Sequence, residues 1–269
     1  MDAKTILITG ATDGIGKQTA IELAQMGHTL ILHGRDTKRG EALVSEISKH
    51  SGNDTICYAN ADFCDFNEVV GLAEFIKSKF NKLDVIINNA GVFETEKTIL
   101  GNGLEKTFMV NHMAMFTLTN ILLPLIIKTP NSRIVNVSSM AQASTMDFNN
   151  LNGEKHFDTY NAYALSKLEN VLFTYKLDRI IQGTETAVNC LHPGIISTKL
   201  LHAGWGAGGG NLKQGASTSI YLAVSEDVEN ISGKYFVNSQ QKKSSPISYD
   251  IKIQDRLWEI SEKIMHQNV

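Results

Sequence analysis

The sequence predicts an α/β fold built on a parallel sheet, and three observations carry that expectation. Short apolar runs of strand length alternate with longer stretches whose apolar residues recur at helical spacing. The first such run passes into a glycine-rich turn and then a helix. At 269 residues there is room for one large domain with a full core, and no linker or repeat divides residues 1–269.

The formal charge is −3 and the isoelectric point about 6.2, which gives no electrostatic pull toward nucleic acid or an anionic membrane. Three cysteines (Cys57, Cys64, Cys190) are an odd number without disulfide or ligand spacing, the usage of a reduced intracellular protein, and no metal site is expected. Residues 1–4 run straight into a strand-like stretch, leaving no room for a signal peptide. The nearest approach to a membrane-spanning run, residues 121–127, is short and contains Pro124. The expectation is a cytoplasmic protein with no membrane span.

Residues 5–9 (TILIT) are an apolar run of the kind that makes a buried parallel strand. Gly10-Ala-Thr-Asp13-Gly14-Ile15-Gly16 follows, then a helical pattern through Ala20, Ile21, Leu23 and Ala24 that Gly27 ends. Strand, glycine turn and helix form a phosphate cradle, because glycines permit close backbone approach and the helix N-terminus offers free N–H groups to a pyrophosphate. The spacing is G-x-x-x-G-x-G, not the commoner G-x-G-x-x-G, and an ordinary glycine turn is the alternative. The flanking strand and helix favour a dinucleotide, with Gly10, Asp13, Gly14, Ile15 and Gly16 as its candidate contacts.

Residues 29–33 read as the second strand, whose end would meet the adenosine ribose. A carboxylate there favours a free 2′-hydroxyl, an arginine a 2′-phosphate. Gly34 stands in the carboxylate position and Arg35 follows, with Lys38 and Arg39 nearby, so NADP(H) is favoured and NAD(H) stays open. Asp36 argues the other way unless it caps the helix starting around Thr37. Residues 55–59 are the third strand. Beyond it, Asp62 either accepts a hydrogen bond from an adenine amino group or caps a helix over 66–80. Residues 83–87 are the fourth strand and run into Asn88-Asn89-Ala90-Gly91, where small residues admit a ligand and asparagine amides tie strands or touch ribose. A helix over about 104–127 contains Asn111, residues 133–137 are strand five, residues 186–191 strand six, and 234–237 belong to a last strand.

The helix over 159–181 carries Tyr163-Ala-Leu-Ser-Lys167, two residues four apart on one face. An ammonium about 5 Å from a phenol favours the phenolate by roughly 3 kcal/mol at an effective dielectric of about 20. Tyr163 is therefore expected to titrate well below its usual ~10, as acid–base catalysis near neutral pH requires. Alone, the pair is commonplace helix decoration.

Taken together, Thr9-Gly10-x-x-x-Gly14-Ile15-Gly16, Asn88-Asn89-Ala90-Gly91, Asn111, Ser139, Tyr163-x-x-x-Lys167 and Pro193-Gly194 resemble the short-chain dehydrogenase/reductase family along almost the whole chain. Arg133-Ile-Val-Asn-Val-Ser-Ser139, the stretch YALSKLENVLF from Tyr163, His192-Pro193-Gly194 and Ser232-Gly-Lys-Tyr-Phe236 are most similar to its retinol-dehydrogenase-like branch. The resemblance implies one doubly wound (Rossmann) parallel sheet of about seven strands, ordered 3-2-1-4-5-6 plus one more, with helices on both faces. It implies an oxidoreductase that interconverts a carbonyl and an alcohol with NADP(H), on a lipophilic small molecule.

By the same resemblance Tyr163 is the acid/base, Lys167 tunes it and holds the nicotinamide ribose, and Ser139, second of the serine pair, binds the substrate oxygen. Asn111 would help relay protons, and Asn89, Ala90, Gly91, Pro193, Gly194, Ile196 and Thr198 would border the cofactor. Substrate loops are expected around 140–157 and 196–215, with Phe93, Met140, Met146, Phe148, Leu200, Leu201 and Trp205 as pocket candidates, or else loop anchors or core, and residues 203–210 as a mobile lid or a loose surface loop. Pairing through the helices holding Asn111 and Tyr163, into a homodimer or homotetramer, is also implied. Retinoid-type members of the branch are usually membrane-anchored, so a retinoid is a less expected substrate. The alternatives are a catalytically silent dinucleotide-binding regulator of the same fold, and a sugar-nucleotide epimerase or dehydratase. Against the latter stand the glycine spacing and the short stretch after Pro193.

Overall fold

The computed structural model describes residues 2–206 and 208–269. Its centre is a sheet ordered β3-β2-β1-β4-β5-β6-β7-β8. The strands are β1 (Thr5–Ile8), β2 (Thr29–Gly34), β3 (Ile56–Asn60), β4 (Val85–Asn88), β5 (Arg133–Val137), β6 (Ala187–His192), β7 (Lys234–Val237) and β8 (Gln240–Lys242). The first seven are parallel. The eighth turns back antiparallel on β7 through Asn238 and Ser239, both at positive φ. It adds a strand to the seven expected, and its polar Gln-Gln-Lys carries no apolar pattern to announce it.

Alternation along each strand divides the core between the two faces. Leu7, Ile31, Ile86, Ile134 and Val188 face a cluster built with α3 (Phe66–Lys79), α5 (Ala114–Ile127) and α6 (Thr159–Ile180). Ile6, Ile8, Leu30, Leu32, Val85, Ile87 and Val135 face α1 (Gly14–Gln25), α2 (Thr37–Ser51) and α8 (Leu212–Val224). Asp13, Asp36, Asp65, Asp158 and Asn211 start α1, α2, α3, α6 and α8 by accepting first-turn N–H groups.

The helix expected over 104–127 is not continuous. It is a short α4 (Lys106–Phe108), a π-turn (Met109–Met113) containing Asn111, and then α5. By length and apolar composition Lys106–Ile127 would pass as a membrane span, contrary to the sequence expectation. Two thirds of that window is buried, and Leu118, Leu122 and Ile126 pack against α3 as a core helix does. The last helix, α9 (Ile251–Asn268), lies across α6, with Trp258 against Phe116 and Phe173.

Strand order turns from 2-1 to 4-5 at β1, so β1 and β4 diverge into loops that leave a crevice at their carboxyl ends. The glycine turn, Asn89-Ala90-Gly91, Ser139, Tyr163, Lys167 and Pro193-Gly194 lie along that crevice.

Candidate active site

One wall of the crevice is the turn from β1 into α1. Gly10 sits at φ +64°, and a side chain there would bring its Cβ within 2.8 Å of the Ala90 backbone. Gly16 packs against the Gly10 carbonyl and the Asn89 amide with no room for a side chain. Asn89 fastens the turn by donating to the carbonyls of Thr9 (2.8 Å) and Gly10 (3.1 Å). Asn88 instead ties β4 to β5 through Asn136 (2.8 Å). Asp13 caps α1 at Gly14, leaving the first-turn amides of Ile15 and Gly16 facing the cavity.

Sequence reasoning missed His33, which braces this turn from below. Its Nδ1 accepts from Gly10 N, its Nε2 bonds the Ala61 carbonyl at 3.0 Å, and its ring stacks on Phe63. Burial pushes it down to about 4, so it is neutral. A histidine in an apolar strand is its only sequence signal.

At the adenosine end, Gly34 closes β2 where a carboxylate would otherwise stand, and Arg35 is exposed beside it. The Asp36 carboxylate is occupied in accepting from Arg39 N (3.0 Å). The Arg39 guanidinium reaches back over the glycine turn to the Thr12 carbonyl (3.4 Å) and Asp13 (3.3 Å). Asp13 also receives Lys199 from the opposite wall at 2.6 Å, and these two cations hold its carboxyl below the usual range. Asp62 does not cap α3; Asp65 does. The Asp62 carboxylate accepts from Cys64 N and closes the turn before the helix.

The chemical centre lies between β5 and α6. Ser138 Oγ donates to the Lys167 carbonyl (2.6 Å), so it faces the helix. Ser139 lines the cavity with Tyr163, its Oγ accepting from Ala141 N (3.1 Å), and its backbone carbonyl is clamped by Gln142 (2.7 Å) and Tyr235 (3.0 Å), two residues the sequence did not single out. Lys167 is fully buried; its Nζ donates to Val137 O at 3.1 Å and stands 5.5 Å from the centre of the Tyr163 ring. Asn111 accepts from Val92 N (2.7 Å) and donates to Val92 O (2.9 Å) and Ser166 Oγ (3.0 Å). Gly91 lies between Asn111 and Lys167, where an added Cβ would sit 3.4 Å from one side chain and 3.5 Å from the other.

The far wall starts at Pro193 and Gly194 (φ +96°) and continues through Ile195 and the buried Ile196. Ile196 pairs with Gly210 and so closes the base of the loop. Thr198 caps α7 (Lys199–Trp205). Within the lid expected at 203–210, residues 203–205 belong to this helix, and Ala207 lies outside the described residues. Trp205 packs on Phe93 (5.2 Å between ring centres) and edge-on to Tyr163 (5.7 Å) and Tyr160 (6.0 Å). Met140, Leu200 and Leu201 line the cavity with it, and its volume is about 670 Å³. Met146 and Phe148 do not reach it. They pack with Leu168, Leu172 and Leu257 because segment 140–157 folds down beside α9, where Arg256 also covers the Phe148 ring.

The short chain dehydrogenase family model matches residues 4–205 of this sequence. The chain belongs to that family. It is 37% identical to retinol dehydrogenase 14 of Mus musculus over 97% of this chain and 86% of that protein. It is also 37% identical to retinol dehydrogenase 13 of Homo sapiens, over 97% and 84%. Among solved structures it is similar to an uncharacterized protein from Mycobacterium paratuberculosis (TM-score 0.82, 29% identity, 98% of this chain and 93% of that one). A short chain dehydrogenase from Escherichia coli CFT073, complexed with NADPH, matches with TM-score 0.73 and 25% identity over 89% and 98%.

Short-chain dehydrogenases bind a nicotinamide dinucleotide, and the crevice fits one. The side-chain-free faces of Gly10 and Gly16 leave the helix amides accessible to a pyrophosphate, and Lys167 has N–H groups to spare next to Gly91. In one respect the electrostatics differ from the sequence expectation: Tyr163 is not lowered. Burial pushes its phenol up to about 12, with Ser139 opposing, and burial pushes Lys167 down to about 8. The ammonium points past the ring to Val137, and desolvation of the phenolate outweighs its attraction.

Proposed function

We propose that this short-chain dehydrogenase is an NADP(H)-dependent reductase that converts a neutral, lipophilic aldehyde or ketone to the alcohol. The observation that carries this reading is that Ser139, Tyr163 and Lys167, all buried, converge on the wall of one apolar cavity. When bound, the cofactor supplies the hydride. Ser139 would hydrogen-bond the carbonyl oxygen and stabilise the charge that gathers there. Tyr163, protonated at neutral pH, would give that oxygen its proton. Lys167 would hold the ribose, and Asn111 would keep Val92 and α6 in place around it.

Gly34 in place of a carboxylate, Asp36 engaged as a helix cap, and two arginines at that end support NADP(H). The NADPH in the Escherichia coli relative, and the retinol dehydrogenase names of the others, support the cofactor and the reaction class. On the substrate side Met140, Leu200, Leu201 and Trp205 present no ionic partner, which favours an uncharged substrate.

The test is a titration of NADPH and NADH against the purified protein, followed by cofactor oxidation with aliphatic, aromatic and polycyclic carbonyls. NADPH binding with consumption on a subset of carbonyls is the expected result; tight binding with no turnover on any would instead favour a cofactor-sensing protein. Arg35→Ala should weaken NADPH roughly ten- to a hundredfold, the worth of one charge-assisted hydrogen bond, and NADH less than about twofold. Equal losses would remove the NADP(H) assignment.

A further inference from the structure

The π-turn that carries Asn111 is buried on every side, and its next residue reaches away from the crevice. A π-turn holds one residue more per hydrogen-bonded ring than an α-helix and is seldom stable without help from its surroundings. On the crevice side that help comes from Asn111, through Val92 and Ser166. On the outer side it comes from His112. Its imidazole, 0% exposed, lies between Phe108 and Phe116 (ring centres 5.6 and 6.0 Å away), and Nε2 is 2.8 Å from Ser261 Oγ in α9. Nδ1 has no partner, so among the described residues Ser261 is the only hydrogen-bond partner of the ring. Burial keeps the imidazole neutral, pushing it down to about 3.

Ser261 is itself fully buried and 149 residues away in sequence. The helix presenting it is anchored on α6 by Asp255, which binds Lys176 and Arg179, and by Trp258, which lies parallel on Phe173. The end of the chain therefore touches the residue adjoining Asn111 without touching the cavity.

We propose that His112 and Ser261 are positioning residues that hold the π-turn in register and thereby keep Asn111 beside Lys167. The inference rests on the role given above to Asn111. Without the lock the extra residue can be absorbed into a regular helix. Successive side chains on an α-helix are roughly 100° apart, so a one-residue slip would swing the carboxamide off Val92.

The experiment compares Ser261→Ala, Ser261→Thr, His112→Phe and the Ser261→Ala/His112→Phe double variant. The readouts are kcat, KM, the NADPH dissociation constant and amide exchange across residues 106–116. Ser261→Ala and His112→Phe should each lower kcat by about tenfold, as a small misplacement of site groups does, and the double variant should lose no more than either alone. KM and NADPH affinity should stay within about twofold, exchange at residues 109–113 should quicken, and Ser261→Thr should restore both kcat and protection. Lower melting temperatures with unchanged kcat and unchanged exchange at 109–113 would reduce the contact to ordinary helix packing and overturn the proposal. Should the unaltered protein reduce no carbonyl, the function proposed above fails by itself. The exchange comparison then still decides whether Ser261 holds the turn.

Discussion

With Lys167 desolvated behind it and Ser139 beside it, Tyr163 keeps its proton well above neutral pH. Replacing it by phenylalanine should lower the rate of carbonyl reduction by roughly 10²–10⁴-fold, the usual worth of a positioned acid, while NADPH affinity changes less than about twofold. Near-normal turnover in Tyr163→Phe would rule out the acid role. A second buried residue on the same helix makes a different prediction. Glu169 is 1% exposed, its Oε1 has no partner, and burial, with Glu105 nearby, holds its carboxyl well above the usual range. Glu105 accepts from the amides of Thr107 and Phe108. The folded chain thus retains a proton on Glu169 that the unfolded chain releases above about 4.5, and stability contributed by the protonated form declines as pH rises past that value. Glu169→Gln keeps the shape without that linkage. Its melting temperature relative to the parent protein should rise from pH 5 to pH 8; a pH-independent difference would mean that Glu169 is ionised when folded.

At the scale of elements, the crevice is held shut at one point by a shared carboxylate. Asp13, in the turn before α1, pairs with Lys199 at the start of α7 and with Arg39 in α2. Both pairs are exposed, and exposed ion pairs add little to stability. Their position matters more, because they join the glycine turn, the proposed pyrophosphate cradle, to the loop carrying Trp205. Lys199→Ala should therefore leave the melting temperature within a degree or two while speeding NADPH release several-fold, measured by stopped-flow fluorescence. Unchanged release would place the Lys199 contact outside the binding path. The outer face of α5 and α6, near Phe116 and Phe173, is already covered by α9.

For the molecule as a whole, the parallel strands and the flanking helices were legible because each is a local apolar pattern bounded by glycine, aspartate or asparagine. The positions of Gly10, Ser139, Tyr163 and Lys167 along one crevice follow from strand order, which family resemblance supplied and local pattern could not. What stayed hidden depends on tertiary contact. The π-turn reads as ordinary helix because both have the same composition. His33 and Tyr235 act through partners 23 to 96 residues away, and nothing near them in sequence marks those partners. Spacing reports the distance from Tyr163 to Lys167 but not the loss of water around both, so it points the titration of Tyr163 the wrong way. Met146 and Phe148 read as pocket, loop anchor or core from sequence, and only the course of segment 140–157 places them in the core.

The short eighth strand, Gln240–Lys242, ends the sheet. All three of its residues are exposed, and it is followed by Lys243. A row of free backbone donors and acceptors on an apolar strand such as β7 would be a template for a neighbouring chain. A brief, cationic, glutamine-rich strand laid over it makes such a template hard to extend. This stretch contributes nothing to chemistry. Laid over β7, it takes up the edge that another chain would otherwise extend.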